Sequence, residues 1–255
     1  MTTIIRESST RIKTGIVLII GMLILGYIDS YFLFWLVFGI MLMISISESK
    51  KLFALKSDSI YVYTSLLWLT AYFYPMPEDL IFIVAIGYAS QLAYKKTLNQ
   101  KLFLPLLYPT ASFIFLLTLY SEYGVMTLLW LLIIVASTDI GAYFIGKGFG
   151  KTQFCETSPN KTIEGVIGGV AFAVVLGSIF AIHEVNLIGA IVISSIVSLT
   201  SVFGDLFESY LKREAGVKDS GTLLPGHGGV LDRTDGYLFG AIVMLVLLRI
   251  IIWYF

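Results

Sequence analysis

Long apolar runs recur along the whole chain, and short polar stretches separate them. Each run is roughly 15–23 residues long, close to the length that a helix needs to cross the hydrocarbon core of a bilayer. The runs predict nine helices, at 14–28, 31–47, 60–75, 79–94, 102–120, 123–146, 162–183, 187–206 and 236–255. Alternation with a period of two residues is absent, which argues against a membrane β-barrel. We therefore predict an all-α, polytopic integral membrane protein.

The same pattern predicts a single integral membrane domain over residues 1–255, without a soluble domain or a linker. Residues 1–136 hold the N-terminal spans, and residues 137–255 combine spans with the polar loops that carry the candidate chemistry.

The composition agrees with a bilayer as the solvent. The 255 residues are 57% hydrophobic and 13% charged, with a mean hydropathy of +0.88. Because a soluble domain carries roughly 25% charged residues, this chain has too little polar surface to coat a water-soluble globule. The formal net charge is zero, so charge does not favour a nucleic acid as a partner.

Lysine and arginine positions predict the orientation. With nine spans, all 17 of these residues except Arg249 fall on one side of the membrane, and the loops on the other side carry only acidic charges. Basic loops stay in the cytoplasm, so we place them and the N-terminus there, with a bacterial inner membrane as the expected location. Arg249 and Asp139 lie inside predicted spans, where we expect each to find a polar partner or, for Arg249, to snorkel.

Acidic side chains gather between the last two spans. If the helix of span eight continues past its apolar run, Asp205, Glu208 and Lys212 share one face. Asp232 and Asp235 follow one turn apart, just before span nine. Acids this close to hydrocarbon are costly unless they are paired or bind a cation. Salt bridges at helix ends are one interpretation, and a Mg²⁺ site of Asp205, Asp232 and Asp235 is the other, since Mg²⁺ prefers oxygen ligands.

Three glycines surround the only histidine of this polar stretch. Because glycine allows backbone N–H groups to approach an anion, Gly228 and Gly229 are predicted to contact a phosphate group. His227 either bonds a phosphate or holds the loop, and the sequence leaves both roles open.

A second polar stretch precedes span seven. Ser158, followed by a proline, predicts a helix start. Free N–H groups at that start, with Lys161 beside them, would form a favourable binding site for a phosphate group. Gly165 and Gly169 have the spacing of closely packed membrane helices.

Residues 209–235 resemble the signature of the phosphatidate cytidylyltransferases, also called CDP-diacylglycerol synthases. The matching pattern is S-x-L-K-R-x4-K-D-x-G-x2-L-P-x-H-G-G-V-x-D-R-T-D, without a departure. Residues 158–165 resemble a second motif of that family, S-P-x-K-T-x-E-G. The N-terminal spans are similar to the family only in being hydrophobic.

The resemblance implies transfer of a cytidylyl group from CTP to phosphatidate, giving CDP-diacylglycerol and pyrophosphate for phospholipid biosynthesis. It implies Mg²⁺ as cofactor, K⁺ as a second cation in some members, a site open to the cytoplasm and often a homodimer. Its catalytic positions correspond to Asp205, Lys212, Asp232 and Asp235, the three aspartates at the metal. The residues expected to contact the substrates are Lys147, Ser158, Lys161, Thr162, Arg213, Lys218, Asp219, His227, Gly228, Gly229 and Arg233.

The residues suit this chemistry on physical grounds. Two anionic substrates must meet, so cations carry most of the catalysis. A phosphate monoester has a second pKa near ~6 and is mostly dianionic at neutral pH, so the attacking oxygen needs no general base.

Two other functions remain open. A CTP-dependent enzyme acting on an ether-linked phosphate lipid or a polyprenol would need similar residues. An ion-coupled transporter is a more distant alternative, because Asp139 and Asp205 lie in or beside spans, but no internal repeat supports it.

Overall fold

The computed structural model describes residues 2–95 and 99–254, with side chains at 13–95 and 99–252. Lys96 and the side chains of Arg6 and Arg11, three of the basic residues that predict the orientation, lie outside the described residues.

Nine helical stretches run through the described part of the chain. They are α1 (Thr2–Ile28), α2 (Tyr31–Leu52), α3 (Ser59–Ala71), α4 (Asp79–Tyr94), α5 (Gln100–Tyr123), α6 (Val125–Phe149), α7 (Ile163–Ile179), α8 (Leu187–Glu214) and α9 (Leu231–Tyr254). Each predicted span coincides with one of them, and residues 2–95 and 99–254 contain no strand. The prediction of an all-α, polytopic fold is confirmed.

Five of these helices are long and apolar enough to cross a membrane, namely α2, α5, α6, α8 and α9. Shorter apolar segments lie in α1, α4 and α7. Helices of this kind satisfy their own backbone groups within lipid. The chain is therefore an integral membrane protein.

Helix α5 is irregular in its first half. A 3₁₀ turn at Gln100–Leu102 and a short α-turn lead into a π-type stretch at Leu106–Ala111, before regular α-helix from Ser112 to Tyr123. The backbone of Tyr108 is extended there, with φ −139° and ψ 112°. The next residue is a proline, and a proline disfavours helical geometry in the residue before it.

The chain groups into two compact units. The first comprises Met1–Leu117 and Glu214–Arg233, and the second comprises Thr118–Arg213 and Thr234–Phe255. The single domain predicted from the sequence, with its parts 1–136 and 137–255, stays a prediction.

Two tryptophans join α2 and α3 in the first unit. The Trp35 Nε1–H donates to the Trp68 carbonyl at 2.9 Å, and the Trp68 Nε1–H donates to the Trp35 carbonyl at 3.2 Å. Gly39 makes the approach possible, because a Cβ there would lie 2.3 Å from Trp68 Nε1.

Glycines bring α6 and α7 together in the second unit. A Cβ on Gly165 would lie 2.9 Å from the Ala142 carbonyl oxygen, and one on Gly169 would lie 2.6 Å from that of Thr138. This confirms that the pair serves close helix packing. The polar loop between α6 and α7 is therefore anchored on two tightly packed helices.

The two polar residues predicted inside spans have neighbours in the second unit. Arg249 forms an ion pair with Glu122, with its Nε 3.1 Å from Oε2, which confirms the internal pairing. Asp139 is exposed on α6, and its charge lies within electrostatic reach of Tyr237.

Candidate active site

Helix α8 continues past its apolar run to Glu214 and carries an acidic face, as the sequence predicted. Glu208 on this face is completely buried, and its Oε2 lies 2.7 Å from the ammonium nitrogen of Lys212 one turn later. Burying a carboxylate without a partner is strongly unfavourable. Lys212 therefore has a fixed position, with its side chain held along α8.

Asp235 of α9 joins this face within the second unit. Its carboxyl group lies near that of Glu208, and the charge of Asp205 is close enough to act on it. Gly204 permits this approach of α8 to α9, because a Cβ there would lie 2.5 Å from the Asp235 carbonyl oxygen. Since neighbouring like charges repel, the three acids need positive charge beside them.

Lys161 supplies the second positive charge. Its ammonium nitrogen lies 2.6 Å from Asp205 Oδ2, and the two side chains are 26% and 36% exposed. Ser209 also donates to Asp205, at 3.4 Å. Unlike the pair of Lys212 and Glu208, this pair is open enough for an incoming anion to replace the carboxylate.

The loop that carries Lys161 is a narrow hairpin. The Phe154 N–H donates to the Lys161 carbonyl at 2.8 Å, and the Ile163 N–H donates to the Thr152 carbonyl at 2.9 Å. Glu164 secures its base, accepting from the N–H groups of Lys151 and Thr152 and from the Thr152 hydroxyl. The hairpin places Lys161 beside α8.

The predicted helix start at Ser158 is wrong. Helix α7 begins at Ile163, and Thr162 caps it by accepting from the Gly165 N–H at 3.1 Å. Thr162 has the extended geometry of a cap residue, with φ −118° and ψ 151°. The hairpin hydrogen bonds hold the chain extended up to that residue. Ser158 therefore lies in the loop, where its backbone carbonyl accepts from the Lys161 N–H.

Asp232 lies in the first unit, in the first turn of α9, and organises the loop before it. Its Oδ2 accepts from the Gly229 N–H at 2.7 Å, from the Ser220 N–H at 2.8 Å and from the Ser220 hydroxyl at 2.9 Å. Gly228 has φ +87°, and a Cβ on it would lie 2.6 Å from the same carboxylate oxygen. The loop therefore closes around Asp232 only with glycine at this position.

The N–H groups of the glycine-containing turn donate to acceptors within the chain. Those of His227 and Gly228 donate to the Leu224 carbonyl, and those of Gly229, Val230 and Leu231 donate to carboxylates. The anions that the last three of these N–H groups approach are thus the chain's own acids. The Nδ1 atom of the His227 side chain is buried without a hydrogen-bond partner. The backbone carbonyl of His227 accepts from the Arg233 Nε–H at 2.8 Å.

Sequence reasoning missed Glu48, whose carboxylate receives the N–H groups of Val230 and Leu231. It lies near the end of α2, just before Lys50 and Lys51, and is buried. Its contacts are more than 170 residues away along the chain, so the local pattern contained no signal for it.

The remaining predicted residues lie on the surface. Lys147 is exposed near the end of α6, with its ammonium group 5.5 Å from the centre of the Tyr143 ring. Arg213, Lys218 and Asp219 are also exposed. Their side chains are accessible to a water-soluble ligand.

Mg²⁺ binding depends on how many acidic side chains come together. Among residues 2–95 and 99–254, no three acidic, histidine or cysteine side chains come close enough together to hold a metal ion by themselves. Mg²⁺ is commonly held by one or two carboxylates, with water and substrate phosphates completing its shell. Asp205 and Asp235 are two such carboxylates within electrostatic reach of each other, and this arrangement fits Mg²⁺.

Comparison with known proteins places this arrangement in a family. The chain matches the sequence model of the cytidylyltransferase family over residues 9–251. It is 44% identical over 251 residues to the phosphatidate cytidylyltransferase of Helicobacter pylori strain J99, covering 97% of this chain and 94% of that protein. The phosphatidate cytidylyltransferase of Helicobacter pylori strain 26695 gives the same figures. The enzyme of that name from Bacillus subtilis is 48% identical over 123 residues, 47% of this chain and 46% of that protein. The chain, with its two motifs and its acidic face on α8, belongs to the cytidylyltransferase family.

Proposed function

We propose that this membrane protein transfers a cytidylyl group from CTP to phosphatidate, giving CDP-diacylglycerol and pyrophosphate. The observation that carries the proposal is the pairing of acids with lysines in the second unit, where Lys161 and Lys212 lie against Asp205 and Glu208. The relatives that match nearly the whole chain bear the name of this activity. Nucleotide and lipid substrates follow from the family.

The reaction joins two anions, and lysines and arginines lower its barrier. A phosphate oxygen of phosphatidate attacks the α-phosphorus of CTP, a new oxygen–phosphorus bond forms, and the bond to the β-phosphate breaks to release pyrophosphate. The attacking phosphate is mostly dianionic at neutral pH, so no residue has to remove a proton. Lys161 binds phosphate in exchange for Asp205, and Lys212 and Arg213 offset the charge that develops in the transition state.

The surface residues of the two motifs extend this role. Lys147, Lys218 and Arg233 are exposed cations, suited to the triphosphate as it arrives. Ser158, Thr162 and Asp219 remain proposed contacts of the substrates, as do His227, Gly228 and Gly229. Because the N–H groups of His227, Gly228 and Gly229 donate within the chain, a hydrogen bond from this turn to a phosphate has to come from the His227 side chain, and the two glycines can meet the phosphate only by close packing.

We place Mg²⁺ at Asp205 and Asp235 of the second unit, and Asp232 remains a proposed ligand on sequence grounds. The ion would supply charge neutralisation for the nucleotide phosphates and the leaving pyrophosphate. K⁺ is a proposed second cation. In the protein itself, Lys161 pairs with Asp205, and Lys212, which pairs with Glu208, lies close enough for its charge to act on Asp235.

The proposed location is the bacterial inner membrane, with the N-terminus and the basic loops in the cytoplasm. A lipid substrate explains why charged residues cluster at helix ends, since acyl chains stay in the bilayer while the headgroup reaches water. We also propose a homodimer, which mass measurement of the purified protein in detergent would test.

The deciding experiment supplies purified protein with CTP labelled at the α-phosphate, phosphatidate and Mg²⁺. We expect the label in CDP-diacylglycerol, together with the release of an equimolar amount of unlabelled pyrophosphate. Parallel reactions contain an ether-linked phosphatidate analogue or a polyprenol in place of phosphatidate. Release of CDP instead of pyrophosphate, or a strong preference for another lipid, would overturn the proposal.

A further inference from the structure

A buried glutamate outside both motifs organises the loop between α8 and α9, which we call the signature loop (residues 215–230). Glu48 lies in the last turns of α2 and is only 4% exposed. Both Glu48 and the signature loop belong to the first unit. A carboxylate buried to this degree needs strong partners, and the loop provides them.

The carboxylate of Glu48 caps the start of α9. Its Oε1 accepts from the Val230 N–H at 3.0 Å, and its Oε2 accepts from the Leu231 N–H at 2.9 Å. The first N–H groups of a helix have no partner within the helix, and negative charge is favourable at this end. A residue of α2 thus fixes where α9 begins.

Ser220 connects Glu48 with Asp232. Its hydroxyl oxygen lies 3.2 Å from Glu48 Oε2 and 2.9 Å from Asp232 Oδ2. A hydroxyl has one proton, so it donates to one of the two acids at a time. Its backbone N–H donates to Asp232 independently, at 2.8 Å.

Two glycines of the signature loop fit against Glu48. A Cβ on Gly221 would lie 2.4 Å from Glu48 Oε1, and one on Gly229 would lie 2.5 Å from the same oxygen. Backbone therefore packs directly on the carboxylate from two directions. The shape of the loop depends on an acid at position 48 as much as on its own glycines.

We propose that Glu48 is a positioning residue for the transfer reaction, holding the signature loop and the first turn of α9 so that Asp232 and Arg233 keep their places. The proposal rests on the proposed function for its kinetic part and on geometry alone for its structural part. Glu48 is buried under the loop, so it acts through these residues and touches no substrate.

The test compares Glu48→Gln, Glu48→Asp and the unchanged protein. Glutamine keeps the size of the side chain but replaces one acceptor oxygen by an NH₂ donor, so either Val230 or Leu231 loses its acceptor. We expect faster amide hydrogen exchange in peptides covering residues 218–233. We also expect kcat to fall by about 10–100-fold with KM for CTP within about twofold, as small displacements of positioned groups do. Aspartate retains both acceptor oxygens, so we expect Glu48→Asp to recover part of kcat.

Ser45→Ala is the matched control. Ser45 lies one turn earlier on α2, is fully buried, and its hydroxyl has no hydrogen-bond partner. We expect the control to match the unchanged protein in exchange and in kcat.

Three outcomes would overturn the inference: exchange and kcat of Glu48→Gln equal to those of the control, faster exchange across both units, or no recovery by aspartate. If Glu48→Gln cannot be purified folded, Ser220→Ala decides, because it removes the hydroxyl that lies between Glu48 and Asp232 and leaves the cap of α9 by Glu48. Ser220→Ala should speed amide exchange in the same peptides and lower kcat by a few-fold. Exchange and kcat equal to those of the unchanged protein would refute the proposal. An unchanged protein inactive on phosphatidate would refute the proposed function, while the exchange result would still decide the role of Glu48.

Discussion

The two lysines of the candidate site differ in how firmly each is held by its acidic partner. Lys212 faces a fully buried carboxylate, so its position is fixed by the cost of leaving Glu208 without a partner. Lys161 faces Asp205, and both are partly exposed. Surface ion pairs contribute little to stability, so Lys161 can leave Asp205 for a phosphate group at little cost.

Replacing Lys161 by alanine should therefore affect catalysis more than stability. We expect kcat/KM for CTP to fall at least ~10-fold, because a cation beside the transferring phosphate is lost, with little change in the thermal midpoint. Initial rates at varied CTP concentration measure this. Lys56→Ala, in an exposed loop position, is the control, and equal kinetics for the two variants would remove Lys161 from the site.

Replacing Asp205 by asparagine tests the metal proposal. The change removes one of two charged ligands, so we expect turnover to drop by about 100-fold or more and the Mg²⁺ concentration for half-maximal activity to rise. A Mg²⁺ titration of the rate is the measurement. Asp58→Asn, on the surface beside Lys50, should behave as the unchanged protein. A normal Mg²⁺ dependence in Asp205→Asn would exclude this aspartate as a ligand.

Helices and loops were predictable to different degrees. The apolar runs located every helix of the described chain, because the bilayer imposes length and hydrophobicity on each span separately. The start of α7 was predicted wrongly, since the hairpin before Thr162 is held by Phe154, Lys161 and Glu164, which are not adjacent in sequence. These tertiary hydrogen bonds outweigh the local preference of Ser158 for a helix cap.

Candidate residues were predictable where the motifs carry them. The acidic face of α8 followed from helical spacing, which is local information. Glu48 could not be found in this way, because its partners lie 182 and 183 positions away. Nor does spacing reveal that the N–H groups of Gly229 and Val230 are already used by acids of the chain.

The close contact of α6 and α7 gives a prediction about stability. A Cβ added at Gly169 would lie 2.6 Å from a carbonyl oxygen of α6, so the helices must separate. We expect Gly169→Ala to destabilise the protein by about 1–3 kcal/mol, as overpacking does, and to lower the thermal midpoint in detergent.

Gly87→Ala is the control for this change, because a Cβ there meets no atom within 4 Å. Alanine also favours helix over glycine, so the control should be neutral or slightly stabilising. A thermal midpoint of Gly169→Ala equal to that of the control would mean that the helices do not depend on this contact.

At the scale of the whole molecule, the distribution of basic residues predicts how the chain crosses the bilayer, and five of the described helices are long and apolar enough to do so. An even number of crossings separates each basic loop from the next in the nine-span arrangement. The predicted placement of the basic loops on one side depends on all nine helices crossing the bilayer, including α3, which has 13 residues. Such a short helix requires local thinning of the membrane.

Cysteine labelling tests this arrangement in a Cys155→Ser background. We expect an impermeant maleimide to label Glu184→Cys in intact cells, and to label Lys56→Cys only after the membrane is permeabilised. Both positions are exposed and lie in loops that the arrangement assigns to opposite sides. Labelling of both from the same side would show that the number of crossings between them is even.

The ion pair between Arg249 and Glu122 has a consequence for biogenesis. An arginine at the centre of a membrane helix costs about 2.5–3.5 kcal/mol when a translocon releases that helix into lipid, and Arg249 lies nearer the end of α9, where a partner or the interface lowers this cost. Helix α9 is synthesised after the other eight described helices, and its counter-charge was made 127 positions earlier. We therefore expect the nascent chain to keep the end of α5 near the translocon exit, so that the two segments partition into the bilayer together.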